Sequence, residues 1–287
     1  MSRTFSYRTV KVDGLDIFYR EAGDKKNPVL LFLHGFPSSS HMYRDVMADL
    51  SDKYYVIAPD YPGFGNSSSP DPSEFPYTFD RLAEVIGHFI DTLGLKKISL
   101  YMQDYGGPVG LRIASGRPAL IRSLIIQNAN AYTDGLGAAL KPLVDYMQKP
   151  DAETEKGVRG LLTIEATQWQ YTDGAEDVSK VSPDSYTSDQ YYLDRPGNDA
   201  IQLALFRSYA SNLPLYEPWH AYFKKHQPPA LVIWGKNDQL FIAPGAAAYK
   251  KDLPEAEVHL LNGGHFLLEE HHGQAAGLID GFLSRLS

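Results

Sequence analysis

The sequence predicts an α/β fold, in which a mostly parallel sheet of eight strands is flanked by helices. Short apolar runs with strand character alternate with longer helical runs along most of the 287 residues, as in folds where helices join parallel strands. One long interruption, residues 131–227, contains no buried-strand pattern. We therefore predict a helical cap inserted after the sixth strand.

The predicted strands follow from local patterns. The first two are joined by Asp13-Gly14, a two-residue signal for a tight hairpin. They cover residues 7–12 and 15–20, and six buried strands follow at residues 29–33, 55–58, 98–102, 124–127, 230–234 and 257–261. Helices are predicted at residues 79–93, 107–116 and 243–252, with a last one from about 266 to 286.

The interruption defines the predicted domains. Residues 131–227 hold several helical pieces, turn-rich segments and two of the three tryptophans. We expect residues 1–130 and 228–287 to form a core domain, and residues 131–227 to form a helical cap domain. The alternative is that these helices pack on one side of the core as extra elements.

Composition limits the class of protein and its partners. A hydrophobic content of 43% and a charged content of 22% are ordinary for a globular enzyme. A net charge of −8 without a basic run argues against nucleic acid and anionic membranes as partners. The absence of cysteine excludes disulfides and thiolate-bound metal. The first residues lack an apolar signal core and no run approaches a membrane span, so we expect a cytoplasmic protein.

An aspartate occupies the position where a serine nucleophile is usual in this kind of fold. Asp104 lies between a predicted strand and a predicted helix, in residues 103–107 (Gln-Asp-Tyr-Gly-Gly). Such a sharp turn exposes its central side chain and normally reads Gly-x-Ser-x-Gly, a motif that this chain lacks. A carboxylate there can attack carbon to form an ester that water then hydrolyses. The substrate is therefore expected to be an alkyl halide or an epoxide rather than an ester.

Reactive residues follow three other predicted strands. Residues 34–37 (His-Gly-Phe-Pro) follow the third strand, Asp238 follows the seventh and His265 follows the eighth. Ligands of such sheets bind beyond the carboxyl ends of the strands, so we expect these residues to meet Asp104. The order of nucleophile, acid and histidine predicts Asp104 as nucleophile, Asp238 as acid and His265 as base.

Structural roles compete with these assignments. Asp104 could cap a helix start, where the helix dipole favours an anion, and Asp238 could stabilise a turn. Asp134, soon after the sixth strand, is the alternative acid. Residues 269–272 (Glu-Glu-His-His) carry potential metal ligands, but we expect a solvated stretch of the last helix there and no metal site.

These motifs resemble those of the α/β-hydrolase superfamily, and within it the haloalkane dehalogenases and epoxide hydrolases. The resemblance covers nearly the whole chain outside residues 131–227, and includes residues 60–67 (Asp-Tyr-Pro-Gly-Phe-Gly-Asn-Ser) and 234–238 (Trp-Gly-Lys-Asn-Asp). It implies the α/β-hydrolase fold and an oxyanion hole formed by the backbone N–H groups of Phe36 and Tyr105. It also implies a small apolar organic substrate and no metal or organic cofactor.

Carbon–halogen hydrolysis is the function that we favour from the sequence. Residues 103–107 are similar to the haloalkane dehalogenase elbow, and residues 167–169 (Thr-Gln-Trp) resemble the segment that carries a halide-binding tryptophan in one subgroup. Tyr105 replaces the usual tryptophan after the nucleophile, and Phe36 replaces a polar residue. The resemblance thus implies that Tyr105 and Trp169 donate hydrogen bonds to the halide.

Epoxide hydrolysis is the alternative. Residues 34–37 match the epoxide hydrolase pattern, and residues 195–207 are similar to a stretch that ends in tyrosine-arginine. Phe206 stands in place of that tyrosine, so one ring-opening hydroxyl is missing; the possible substitutes are Tyr171, Tyr191, Tyr192 and Tyr209. Each of these tyrosines could instead pack the cap against the core. An ester or lactone hydrolase and a non-catalytic binding protein are further alternatives, and oligomeric state is not predicted.

Overall fold

The fold is built on one sheet of eight strands. The structure, a computed structural model, describes residues 4–286. The strands are β1 (Ser6–Val12), β2 (Leu15–Ala22), β3 (Val29–Leu33), β4 (Tyr55–Pro59), β5 (Ile98–Gln103), β6 (Ile121–Gln127), β7 (Ala230–Gly235) and β8 (Glu257–Leu261). Every predicted strand is present, most within two residues of the predicted ends. β6 begins three residues early because Ile121 already pairs with Ile98 across a bulge.

The strand order is β1-β2-β4-β3-β5-β6-β7-β8. β2 is antiparallel to both β1 and β4, while β4, β3, β5, β6, β7 and β8 run parallel. The predicted mostly parallel sheet is therefore confirmed. Because the parallel strands end at one edge of the sheet, residues that follow β3, β5, β7 and β8 are brought together there.

Eleven α-helices are present in residues 4–286. They are α1 (Arg44–Leu50), α2 (Phe79–Thr92), α3 (Gly106–Gly116), α4 (Lys141–Gln148), α5 (Ala152–Arg159), α6 (Ile164–Thr172), α7 (Pro183–Leu193), α8 (Asn198–Ser208), α9 (Tyr216–His226), α10 (Pro244–Ala248) and α11 (Leu268–Ser284). The predicted helix at 243–252 is the short α10 followed by a 3₁₀ turn, and α11 starts two residues later than predicted. No helix in this part of the chain is long and apolar enough to cross a membrane.

The central strands are buried because helices cover both faces of the sheet. On β3, Leu31 and Leu33 join the apolar cluster on one face, while Leu30 and Phe32 join the cluster on the other. This alternation follows from the two-residue period of a strand. The sheet is thus a rigid base whose carboxyl edge positions the site.

The segment between β6 and β7 is helical, as predicted. It contains α4 to α9 and 3₁₀ turns, and within the described residues its one β interaction is an isolated bridge from Leu136 to Phe241. Its helices contribute buried side chains to the same apolar cluster as the core, for example Leu143 on α4 and Phe206 on α8. The division into core and cap domains remains a prediction.

The prediction that residues 269–272 are solvated is wrong for Glu269. Its buried carboxylate accepts two hydrogen bonds from Arg44, each 2.9 Å long, and the Ser185 hydroxyl shares its one hydrogen between the two carboxylate oxygens. Glu270 accepts hydrogen bonds from backbone N–H groups of Glu176 and Asp177. These carboxylates therefore tie the helical segment to the core, a long-range role that the local sequence does not reveal.

Candidate active site

Asp104 occupies a tight turn between β5 and α3. Its φ is +50°, a conformation that residues other than glycine rarely adopt. Glycines make room for this turn: a Cβ on Gly35 would lie 2.3 Å from the Cβ of Asp104, and one on Gly106 would lie 2.1 Å from the Leu33 carbonyl oxygen. The elbow predicted from the sequence is thus present in the backbone, with a carboxylate at its tip.

The two oxygens of the Asp104 carboxylate have different surroundings. Oδ1 accepts a 2.7 Å hydrogen bond from the backbone N–H of Phe36, and the backbone N–H of Tyr105 also bonds to the carboxylate. Oδ2 lies 3.9 Å from Nε2 of His265. Burial raises the pKa of Asp104, while His265 and the two N–H groups oppose that rise. One oxygen is therefore held by donors and the other faces the histidine.

Asp238 is a fully hydrogen-bonded buried carboxylate. Its Oδ2 accepts from Nδ1 of His265 and from Nδ2 of Asn128, each at 2.7 Å. Its Oδ1 accepts from the backbone N–H groups of Leu240 at 2.8 Å and Phe241 at 3.0 Å. These four donors hold the acid in one orientation toward the imidazole.

The imidazole of His265 is held from both sides. Nδ1 donates to Asp238, so Nε2 carries the lone pair and accepts from the Gln103 side-chain amide at 3.0 Å. Burial disfavours the charged ring, but the attraction of Asp238 and Asp104 outweighs it and raises the pKa of His265. The ring is thus oriented to accept a proton at Nε2, toward Asp104.

An apolar cavity opens beside Asp104. Most of its lining is aliphatic or aromatic, and it consists of Phe36, Asp104, Tyr105, Leu140, Leu143, Leu161, Ala166, Trp169, Gln170, Phe206, Tyr209, Leu240 and Phe241. The ring of Phe206 packs edge-on against Phe36, with centroids 5.1 Å apart. The cavity therefore suits a small apolar molecule.

Three of the four predicted substrate-binding residues line the cavity. Tyr105, Trp169 and Phe206 line the cavity, and the Tyr105 hydroxyl is buried with no partner among residues 4–286. The Trp169 indole, however, hydrogen-bonds the Asp173 carboxylate. Because an indole has a single N–H, Trp169 serves here as a wall of the cavity rather than a free donor.

Tyr171, which was predicted to bind the substrate, lies apart from the cavity beside Asp104. Its buried hydroxyl donates to Oδ2 of Asp189 at 2.5 Å, its ring stacks on Phe266, and it does not line the cavity. Ser38 donates to the other oxygen of Asp189 at 3.2 Å. Tyr171 directly follows Gln170 on α6, a rotation of about 100° around the helix, so its side chain leaves the face that lines the cavity.

Of the remaining candidate tyrosines, one lies at the cavity and two lie away from it. Tyr191 is exposed and the Tyr192 hydroxyl donates to Asn66, so both lie away from the cavity. Tyr209 lines it. Asp134, the alternative acid, pairs with Lys251 at the surface. Within the described chain, no group of three or more His, Asp or Glu side chains is arranged to hold a metal ion.

Three side chains of the site were not predicted from the sequence. Asn128 contacts Asp238, and Gln103 contacts His265. Gln170 lines the cavity. Asn128 directly follows β6 and Gln103 is the last residue of β5, so the rule that selected the other residues could have found them. Gln170 carries no such signal, since its position depends on how α6 packs over the sheet.

Comparison with known proteins places the chain in a family. Residues 28–272 match the model of the alpha/beta hydrolase fold, and the chain belongs to this family. An uncharacterized hydrolase of Saccharomyces cerevisiae is 40% identical over 263 residues, 90% of each chain. Epoxide hydrolase 4 of Mus musculus is 27% identical over 295 residues, covering 98% of this chain and 79% of that protein.

A solved structure agrees with this assignment. The crystal structure of haloalkane dehalogenase DbeA from Bradyrhizobium elkani superposes with a TM-score of 0.79 at 25% identity, covering 98% of this chain and all (100%) of that one. The protein is therefore a hydrolase of the α/β-hydrolase superfamily, with haloalkane dehalogenase and epoxide hydrolase relatives.

Proposed function

We propose that the protein hydrolyses carbon–halogen bonds through a covalent ester on Asp104. One observation carries the proposal: Asp104 presents a carboxylate beside an apolar cavity, with Oδ1 held by the Phe36 N–H at 2.7 Å and Oδ2 left to face His265. A carboxylate in this position is suited to attack carbon rather than to activate a serine.

The first step forms the ester. Oδ2 attacks the carbon that bears the halogen, the new carbon–oxygen bond takes its electron pair from the carboxylate, and the halide leaves with the pair of the broken bond. The apolar wall favours a haloalkane, and the unpartnered Tyr105 hydroxyl can donate to the departing anion. Burial raises the pKa of Tyr105 well above its ordinary value, so this hydroxyl keeps its proton.

The second step hydrolyses the ester. His265 takes a proton from water through Nε2, and the resulting hydroxide attacks Cγ of Asp104. The negative charge then develops on Oδ1, which already accepts a hydrogen bond from the Phe36 N–H. Asp238 supports the imidazolium, which gives its proton to the departing alkoxide, so the alcohol leaves with the original Oδ2. Asp104 is regenerated with one oxygen from water.

A substrate panel tests the proposal. The protein is incubated with small bromo- and chloroalkanes and, in parallel, with aryl epoxides, and released halide and diol are measured. We expect halide release with equimolar alcohol, abolished in Asp104→Ala. Diol formation without halide release would replace the proposed reaction by epoxide hydrolysis. Halide release that survives in Asp104→Ala would remove the covalent mechanism.

Epoxide hydrolysis is the second candidate, and Tyr209 favours it. Its ring lies 6.2 Å from that of Tyr105 in the same cavity, and charge on Asp104 helps to raise the pKa of both tyrosines after the larger effect of burial. Two neutral hydroxyls beside the nucleophile are what an opening oxirane oxygen needs. Loss of diol formation in Tyr209→Phe, with wild-type melting temperature, is the expected result under this candidate.

A further inference from the structure

Gln170 places an unpaired donor in the wall of the substrate cavity. The residue is 4% exposed, its Nε2 is buried, and no acceptor for that nitrogen exists within residues 4–286. Leaving a buried amide N–H unpaired is unfavourable, and nearly all such groups in folded proteins find a partner. An unpaired N–H that lines a ligand cavity therefore indicates that the ligand supplies the acceptor.

The position of Gln170 follows from the periodicity of α6. Ala166, Trp169 and Gln170 stand at i, i+3 and i+4 and all line the cavity, as one face of a helix must. The indole N–H of Trp169 is taken by Asp173. Gln170 is thus the residue on this face whose donor remains unpaired.

The Gln170 amide is not needed as a hydrogen-bond donor to Asp238. Gln170 also lines a narrow crevice beside Asp238 and His265. Both oxygens of Asp238 are already saturated, however, by His265, Asn128 and two backbone N–H groups. The catalytic acid therefore leaves the Gln170 amide free for a ligand.

Tyr105 provides a second donor of the same kind. Its hydroxyl is buried, finds no partner in the described chain and lines the same cavity from the core side. An anion in an apolar cavity must replace its lost hydration by donors such as these. We propose that Nε2 of Gln170 and the hydroxyl of Tyr105 together bind the leaving halide. This inference rests on the proposed carbon–halogen hydrolysis.

The Gln170 amide and the Tyr105 hydroxyl have the same chemical role at the leaving halide. Both groups donate hydrogen bonds and neither transfers a proton, because the halide leaves as a stable anion. The donors strengthen their interaction as charge develops on the halogen, so they stabilise the transition state of ester formation more than the bound substrate. Chloride needs this help more than bromide, and bromide more than iodide, because the carbon–halogen bond weakens in that order.

Bromide titration tests the binding part. Of the three tryptophans, all of them described, only Trp169 lines the cavity, so saturable quenching of its fluorescence by sodium bromide reports occupancy. We expect Gln170→Met to weaken bromide binding about tenfold, and Gln170→Glu, which places a negative charge there, to weaken it further. The exposed Gln168→Met, on the same helix, is the matched control and should bind as the wild type.

The leaving-group series tests the catalytic part. Single-turnover rates of ester formation are measured for one alkyl chain bearing chlorine, bromine or iodine. In Gln170→Met the loss of rate should be largest for chloride and smallest for iodide, whereas a purely structural defect would lower all three equally. Saturable bromide binding and an unaltered leaving-group trend in both Gln170→Met and Gln170→Glu would overturn the assignment of Gln170. Absence of halide release from every haloalkane by the wild type would instead overturn the proposed function beneath it.

Discussion

Oδ2 of Asp104 lies 3.9 Å from Nε2 of His265, too far for a direct hydrogen bond. The two groups therefore interact as charges rather than as a bonded pair. A nucleophile that is not hydrogen-bonded to the base keeps its lone pairs available for attack on carbon. This separation fits a mechanism in which the histidine acts after the aspartate has formed its ester.

Isotope labelling will locate the nucleophile. In a single turnover with excess enzyme in 18O-water, we expect one 18O atom in the carboxylate of Asp104, because water attacks Cγ and not the substrate carbon. Mass spectrometry of the peptide that contains Asp104 measures it. Label found in the alcohol, with Asp104 unlabelled, would exclude the ester intermediate.

His265→Gln should separate the two half-reactions. Glutamine cannot accept a proton from water, so ester formation should continue while ester hydrolysis stops. Intact-mass measurement after addition of a haloalkane should show a stable adduct equal to the alkyl group. Full turnover by this variant would contradict the role given to His265.

Asp238→Asn should lower the turnover rate by about 10³-fold or more, because a neutral partner no longer stabilises the imidazolium. Since Asp238 is the main group that raises the pKa of His265, the acid limb of any remaining hydrolysis should move to lower pH. A pH–rate profile checks both effects. The surface variant Asp134→Asn is the control, and a loss there that equals the loss in Asp238→Asn would transfer the acid role.

Asp189 should make stability depend on pH. Burial raises its pKa to about 7, against the opposing hydrogen bonds from Tyr171 and Ser38. The folded state thus holds a proton that the unfolded state has already lost, so the free energy of unfolding should fall as pH rises from about 4 to about 7. The nearby charges act in opposite directions, Glu269 raising the pKa and Arg44 lowering it.

Asp189→Asn should remove that decline, since an amide does not ionise. The gain in free energy of unfolding relative to the wild type should grow from pH 5 to pH 8, by at most about 3 kcal/mol. Urea unfolding at several pH values measures it. The exposed Asp184→Asn, on the same helix, should show a constant difference; an equal pH dependence in both variants would refute the role of Asp189.

Substitutions in the cavity wall should distinguish halide from epoxide. For a halide, Tyr105→Phe should weaken bromide binding by about 1–3 kcal/mol, since a buried donor to the anion is lost. For an epoxide, Phe206→Tyr should raise diol formation by restoring a hydroxyl beside the nucleophile. Fluorescence titration and product assays measure the two effects. Faster epoxide turnover in Phe206→Tyr together with no bromide binding would reverse the preferred assignment.

The sequence by itself determined the sheet and the positions of Asp104, Asp238 and His265. Apolar runs mark buried strands, and residues directly after parallel strands meet at one edge whatever the rest of the chain does. The turn at Asp104 could be predicted from the sequence as well. The glycines that make room for it are either close to Asp104 in sequence or follow a neighbouring strand. These features depend on local pattern and on a rule of topology.

Only the tertiary structure decided which side chains of residues 131–227 face the substrate. Trp169, Gln170 and Tyr171 are consecutive, yet the first two line the cavity and the third binds Asp189 on the other side. The helices of this segment carry aromatic and polar residues around much of their circumference, so periodicity does not select one buried face. Contacts from distant parts of the chain set how these helices are rotated over the sheet. As a result, Gln170 and Tyr209 line the cavity, and Tyr171 points away from it.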